Sequence, residues 1–273
     1  MRLILVPTDF SPEARNAALH AAELAKTFNA TLYLFHAYLL PSPVSEIPYV
    51  MVTVDELQKE NELQLKKEAE SLRNQFGISV ESLVRIGIPS DEVKILCEET
   101  VADLIVMGMK GMGGLDKIIG STTINAVKKV KVPVLIVPHD VPYTKPTIIT
   151  YASDLSDTIH SKSFDPLFTF LRTFQAKLQV VHIRLQLNGS NPDENVSREA
   201  VRQIFKDTEY VFDIVHHSSV MQGIRLYLDA HPSEMLVMIL RKHSFFERLF
   251  SRHHTTEMAY KTNSPLLILP EKL

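Results

Sequence analysis

Four blocks of sequence recur in the same order in the two halves of this chain, and that duplication limits the possible folds more than any other feature. Pro7-Thr8-Asp9-Phe10-Ser11 is matched by Ala152-Ser153-Asp154-Leu155-Ser156, and Leu34-Phe35-His36-Ala37 by Val180-Val181-His182-Ile183. Asp103-Leu104-Ile105-Val106-Met107 is matched by Glu234-Met235-Leu236-Val237-Met238. Val132-Pro133-Val134-Leu135-Ile136-Val137-Pro138 returns as Ser264-Pro265-Leu266-Leu267-Ile268-Leu269-Pro270. A chain of 273 residues is long for one common α/β unit and comfortable for two. The repeat therefore predicts tandem domains at 1–140 and 145–273, joined where prolines interrupt any continuous element.

Within each half, strand and helix signals alternate. Short apolar runs predict strands at 3–6, 31–38, 80–85, 104–107 and 134–137. Between them, helices are expected from Ser11-Pro12 onward and at 54–76, 90–99 and 121–130; Ser11 suits an N-cap and Pro12 the first helical position. The second half repeats the order, with strands at 147–151, 178–183, 210–215, 236–240 and 266–269 and helices at 157–174, 197–206, 221–228 and 255–261. Strands separated by helices imply right-handed crossovers. The expected class is α/β: two tandem open sheets of five mainly parallel strands, Rossmann-like, with helices on both faces.

Composition narrows the function classes. With 32 acidic and 29 basic side chains the formal charge is -3, which supplies no overall drive toward nucleic acid or anionic membrane. Cys97, the single cysteine, excludes an intramolecular disulfide and a multi-cysteine zinc site, and its apolar helical neighbours Val93 and Leu96 suit a core thiol. The adjacent pairs His216-His217 and His253-His254 have poor metal-ligand spacing, because neighbouring side chains diverge on either a strand or a helix. His36 and His182, at matching strand ends, read as framework of the repeat. The opening apolar run is too short for a signal segment, and no stretch is long enough to span a bilayer, so a cytoplasmic location is expected.

The chemistry concentrates in one segment. Five of the nine glycines lie in 108–120, immediately after the 104–107 strand and before a helix. In an open parallel sheet that is the carboxyl edge, where ligands bind. Glycines let a backbone approach a phosphate closely, and free N–H groups at a helix start attract anions. Lys110 adds a cation, and Ser121 and Thr122 add hydroxyls; no Gly-Lys-Ser/Thr sequence closes the loop, so it is not a Walker A motif. Asp9 follows the first strand and should reach the same edge, where it can accept ribose hydroxyls or cap a helix. No histidine is placed to activate Ser11 or Ser121, so no nucleophilic triad emerges.

The Pro7–Ser11 block, His36-Ala37, Gly87-Ile88-Pro89, the 102–108 segment, the glycine loop and the 132–137 strand together resemble the universal stress protein family, in tandem form. The resemblance implies an adenine nucleotide alpha hydrolase-like fold and a stress-response regulator that binds ATP or a related adenine nucleotide, with Mg2+ as a companion of the phosphates. It places the ribose at Asp9, flanked by Pro7 and Thr8, and the adenine at the Ala37 backbone. Met107 and Gly108 would border base and sugar. Lys110, Gly111, Gly120, Ser121 and Thr122 would meet the phosphates. Eight residues separate Gly111 from Gly120, one fewer than in the family's ATP-binding loop.

In the second half, residues 239–254 contain no glycine. Asp154 is kept but the cradle is not, so this half is expected not to bind nucleotide. Phe245, Phe246, Leu249 and Phe250 read as residues packing against a helix or another subunit; Arg241, Lys242, Arg248 and Arg252 could meet an anion, but a solvated basic face is the commoner meaning of such a cluster. The two terminal strands, 134–137 and 266–269, are expected to pair within the chain; a homo-oligomer is a further option. The alternatives to a nucleotide-binding regulator are a scaffold acting through protein partners and, third, a slow ATPase.

Overall fold

The structure, a computed structural model, describes residues 1–40, 53–109, 121–154, 161–185, 194–241 and 264–271. The first half runs β1 (Leu3–Pro7), α1 (Pro12–Phe28), β2 (Thr31–Tyr38), α2 (Val54–Phe76), β3 (Val80–Ile86), α3 (Pro89–Thr100), β4 (Leu104–Met109), α4 (Ser121–Lys129) and β5 (Val134–Pro138). The second runs β6 (Ile148–Ser153), a 3-10 turn (Ser161–Phe164), α5 (Asp165–Phe174), β7 (Lys177–Leu185), α6 (Glu194–Ile204), β8 (Tyr210–His217), α7 (Val220–Ala230), β9 (Met235–Leu240) and β10 (Leu266–Pro270). The tandem duplication and the α/β class expected from the sequence are both present.

One helix differs from its expectation. In place of a continuous helix over 157–174, the 3-10 turn at Ser161–Phe164 leads into α5, whose first turn contains Pro166. Proline has no N–H to donate to the preceding turn, so an α-helix begins at it more readily than it passes through. Residues 157–160, and the helix expected at 255–261, lie outside the described residues.

All ten strands form one sheet in the order β3-β2-β1-β4-β5-β10-β9-β6-β7-β8. Pairing is parallel within each half. At the centre β5 and β10 run antiparallel, with Leu266 opposite Ile136, Leu267 opposite Leu135 and Ile268 opposite Val134. Leu135 and Leu267 are equivalent positions of the repeat, so a pseudo-twofold axis passes between them. The pairing occupies the backbone edge that each half would otherwise expose. An acid of the repeat does the same work at the other end of the strands: Asp103 accepts N–H bonds from Arg2 and Leu3, and Glu234 from Thr147 and Ile148.

Helix α1 lies close on the sheet because its inward face is alanine: Ala14, Ala17, Ala18, Ala21, Ala22 and Ala25 are all buried. The same helix holds the connection between halves. Asn16 Nδ2 donates to the carbonyls of Pro138 and Val141 at 2.8 and 3.0 Å, and buried His20 donates Nε2–H to Val141 at 2.9 Å. Farther along, the Phe28 ring meets Phe170 and Phe174 of α5 edge-on, at 5.5 and 5.8 Å between centroids.

Burial pushes the His20 imidazole below its ordinary pKa, against the smaller opposing effect of the Val141 bond. His182 is lowered for the same first reason. The unfolded chain therefore binds more protons than the folded one just below the ordinary histidine range of about 6.5. The stabilisation is complete above that range and is lost as pH falls toward the depressed folded values. Urea midpoints measured at about pH 7.5 and about pH 5.5 should be lower at the acidic end. His20→Gln, which keeps an N–H donor but does not titrate, should narrow the gap; an unchanged gap would mean that other groups set it.

Candidate functional site

The strand order 3-2-1-4-5 in the first half reverses between β1 and β4, where Ile4 pairs with Leu104 and Leu5 with Ile105. Connections leave these two strands in opposite directions, which opens a crevice beyond their carboxyl ends. A cleft of about 250 Å³ occupies that crevice. Of the residues expected from sequence, Pro7, Thr8, Asp9, Ala37, Met107, Gly108 and Thr122 line it together. Ser121 opens α4 beside it. Lys110, Gly111 and Gly120 lie outside the described residues.

A short run of hydrogen bonds shapes the Asp9 turn. Thr8 N–H donates to Phe35 across the ladder at 2.8 Å, and Thr8 Oγ1 accepts from Phe10 N–H at 3.0 Å. Asp9 Oδ1 accepts from Ser11 N–H at 3.1 Å, and Ser11 Oγ accepts from Ala14 N–H at 3.2 Å, capping α1. The cap of α1 is therefore Ser11 and not Asp9, whose carboxylate steadies the turn before the helix and is exposed at the cleft. Phe10 takes the left-handed region, φ 64°, which few residues other than glycine adopt and which lets the chain reverse from strand to helix in so few residues.

His36 fixes the turn from behind. Its Nδ1–H donates to the Thr8 carbonyl at 2.8 Å, and its ring lies between Phe10 and Tyr38. His182 repeats the bond with the Ser153 carbonyl at 3.0 Å, as framework residues of a duplication should. Nearby, the half-buried carboxyl of Glu68 is pushed up in pKa by burial, with Asp9 adding to the rise and Arg15 opposing it.

Gly108 has a structural reason for lacking a side chain. A Cβ there would lie 2.5 Å from the Glu13 carbonyl oxygen and 3.0 Å from the Ala14 nitrogen, in the first turn of α1. The closeness of that approach brings Ser11, Glu13 and Ala14 to the cleft wall. These three, with Phe35, Pro89, Val93 and Thr123, are cleft residues that sequence reasoning did not assign to it. Phe35 lies in a block of the repeat, and Pro89 in the Gly87-Ile88-Pro89 block that carries the family resemblance. Thr123 Oγ1 donates to the Gly108 carbonyl at 3.4 Å and ties α4 to β4.

Chemically, the cleft has an apolar floor of Phe35, Val93 and Met107 and a rim carrying Thr8, Ser11, Thr122 and two acids, Asp9 and Glu13. Such a site favours a flat apolar ring with hydroxyl groups and disfavours an anion beside the acids. Thr122 and Thr123, in the first turn of α4, stand at the helix end that favours an anion. Among the described residues no group of three or more His, Cys, Asp or Glu could hold a metal. Cys97 is buried, and burial, with Glu98 adding, pushes its thiol up to about 11; it is a core residue and no nucleophile.

The second half is arranged differently at the same edge. Arg241, expected on a solvated basic face, instead donates Nη2–H to Asp154 Oδ2 at 2.6 Å, and the two side chains are only 13% and 18% exposed. Lys242, Arg248, Arg252 and the phenylalanines at 245, 246 and 250 lie outside the described residues, as does Leu249.

Comparison with known proteins agrees with this architecture. The universal stress protein family model matches residues 1–138. The chain belongs to the universal stress protein family. Universal stress protein MJ0531 of Methanocaldococcus jannaschii is 33% identical over 137 residues, 49% of this chain and 80% of that protein. Universal stress protein Sll1654 of Synechocystis is 31% identical over 139 residues, 50% of this chain and 85% of its own. Each of these relatives thus corresponds to about half of this tandem universal stress protein. The crystal structure of a universal stress protein from Archaeoglobus fulgidus matches both halves at once, covering 99% of this chain and 98% of its own with a TM-score of 0.78 and 16% identity; that likeness concerns the fold. No helix among the described residues is long and apolar enough to cross a membrane.

Proposed function

We propose that the first half of this universal stress protein binds ATP or a related adenine nucleotide and acts as a regulator in stress adaptation. The observation that carries the reading is the cleft at the β1–β4 crevice, where the Asp9 carboxylate, the Ala37 strand end and the start of α4 surround one apolar-floored space. On this reading the adenine lies against Phe35, Ala37 and Met107, and Asp9 accepts the ribose hydroxyls. Gly111, Gly120, Ser121 and Thr122 receive the phosphates, with Lys110 as a counter-charge and Mg2+ as a companion. The left-handed Phe10 supports it too, since an uncommon backbone conformation next to a cleft is often retained for what it positions.

Asp9→Asn provides the test. Asparagine keeps an oxygen for Ser11 N–H, so the turn and the cap survive, but the charge that strengthens ribose hydrogen bonds is gone. Hydrogen bonds to a charged group are each worth about 1.5–3 kcal/mol, so ATP affinity should fall roughly ten- to a hundredfold. The melting temperature without ligand should stay nearly constant. Isothermal titration of the natural protein should give one ATP per chain. Unchanged affinity in the variant would remove Asp9 from the site, and no binding by the natural protein would favour the scaffold role.

A further inference from the structure

The ladder registers align the carboxyl edges of the two halves residue by residue. Ile4 pairs with Leu104 and Ile149 with Met235, which makes Asp154 the equivalent of Asp9, Ile239 of Gly108, and Arg241 of Lys110. The His36 and His182 bonds to the carbonyls of Thr8 and Ser153 keep the same alignment. Two replacements then distinguish the halves. At Gly108 the first turn of α1 comes so near that a Cβ would lie 2.5 Å from a backbone oxygen. At the equivalent position stands Ile239, whose branched side chain is buried. The second replacement is Arg241, whose guanidinium is within 2.6 Å of the aspartate and is, like its partner, largely withdrawn from water.

We infer that Arg241 occupies the second half's ribose position and thereby excludes adenine nucleosides from it. A guanidinium presents several N–H donors in one plane, so it offers Asp154 what a ribose diol would offer Asp9, with a full positive charge in addition. A neutral pair of hydroxyls is a weaker partner for a carboxylate than a guanidinium, so it does not displace the cation from this poorly hydrated pair. The missing glycine cradle removes phosphate binding from this half; Arg241 removes nucleoside binding as well. This inference rests on reading Asp9 as the ribose acceptor of the first half.

Adenosine is the suitable probe, since it lacks phosphates and makes no demand on the glycine loop. Backbone-amide NMR of the full chain reads the two sites separately. In the natural protein, adenosine should move the amides of Thr8 and Asp9 and leave Ser153 and Asp154 in place. In Arg241→Ala, Ser153 and Asp154 should show new saturable shifts, corresponding to at least a tenfold gain over the natural second half. Arg241→Lys keeps a cation to preserve the fold but replaces the planar guanidinium by a smaller point charge, and should give a smaller shift of the same kind. Saturable shifts at Asp154 in the natural protein would overturn the inference, as would their absence from both folded variants. Silence at Thr8 and Asp9 would instead count against the first-half reading, whatever the second half does.

Discussion

Gly108→Ala is expected to destabilise the protein by about 1–3 kcal/mol and to weaken nucleotide binding with it. The reason is local and geometric. The new Cβ would lie 2.5 Å from the Glu13 carbonyl oxygen, 2.7 Å from its carbon and 3.0 Å from the Ala14 nitrogen, all backbone atoms that no rotamer change can move. Relief requires the first turn of α1 to lift from β4, and Ser11, Glu13 and Ala14 on that turn form one wall of the cleft. Gly108→Val, with a larger branched side chain, should cost more on both measures. Urea denaturation gives the stability and isothermal titration the affinity. A variant of unchanged stability that loses binding would mean that Gly108 is required only for contact with ligand.

Gly108 also illustrates what the sequence made legible and what it did not. Glycine clustering drew attention to 108–120 as a phosphate loop, yet the requirement at Gly108 comes from a helix about a hundred residues earlier in the chain. Sequence spacing cannot display that contact. The framework was legible because the repeat supplies its strands twice: His36 and His182, and Asp103 and Glu234, keep their hydrogen-bonding roles in both halves. A duplicated residue with a duplicated role stands out even without neighbours. Arg241 was misread for the opposite reason. It belongs to a local run of basic residues that resembles a solvated face, while its partner Asp154 lies 87 positions away. The helix expected at 157–174 failed at Pro166, where apolar periodicity continued but the backbone donor did not.

The first half expressed alone, as residues 1–145, is expected to form a dimer in place of a stable monomer. A curated relative matches half of this chain over 98% of its own length, so one half corresponds to a complete set of strands and helices. What it lacks is a partner for β5, whose residues are all buried in the intact chain. Removing β10 exposes the edge of β5, and removing α5 uncovers the Phe28 ring. The central register shows how such an edge can be satisfied. Leu135 pairs with Leu267, its own equivalent in the repeat, and Val134 and Ile136 pair crosswise with the equivalents of each other. A strand that pairs with its repeat copy in this symmetric way can pair with a second copy of itself, placing Leu135 opposite Leu135. Sedimentation velocity should therefore give twice the mass of the half chain. A proline at Ile136 should lower the soluble dimer fraction: Ile105 N–H donates to Pro133, so by alternation Val134 and Ile136 turn their own N–H groups toward the partner strand, and proline has none to donate there. A half chain that remains monomeric and soluble at high concentration would show that the central pairing is not needed to cover the edge. The second half would then require some other reason for its place in the chain.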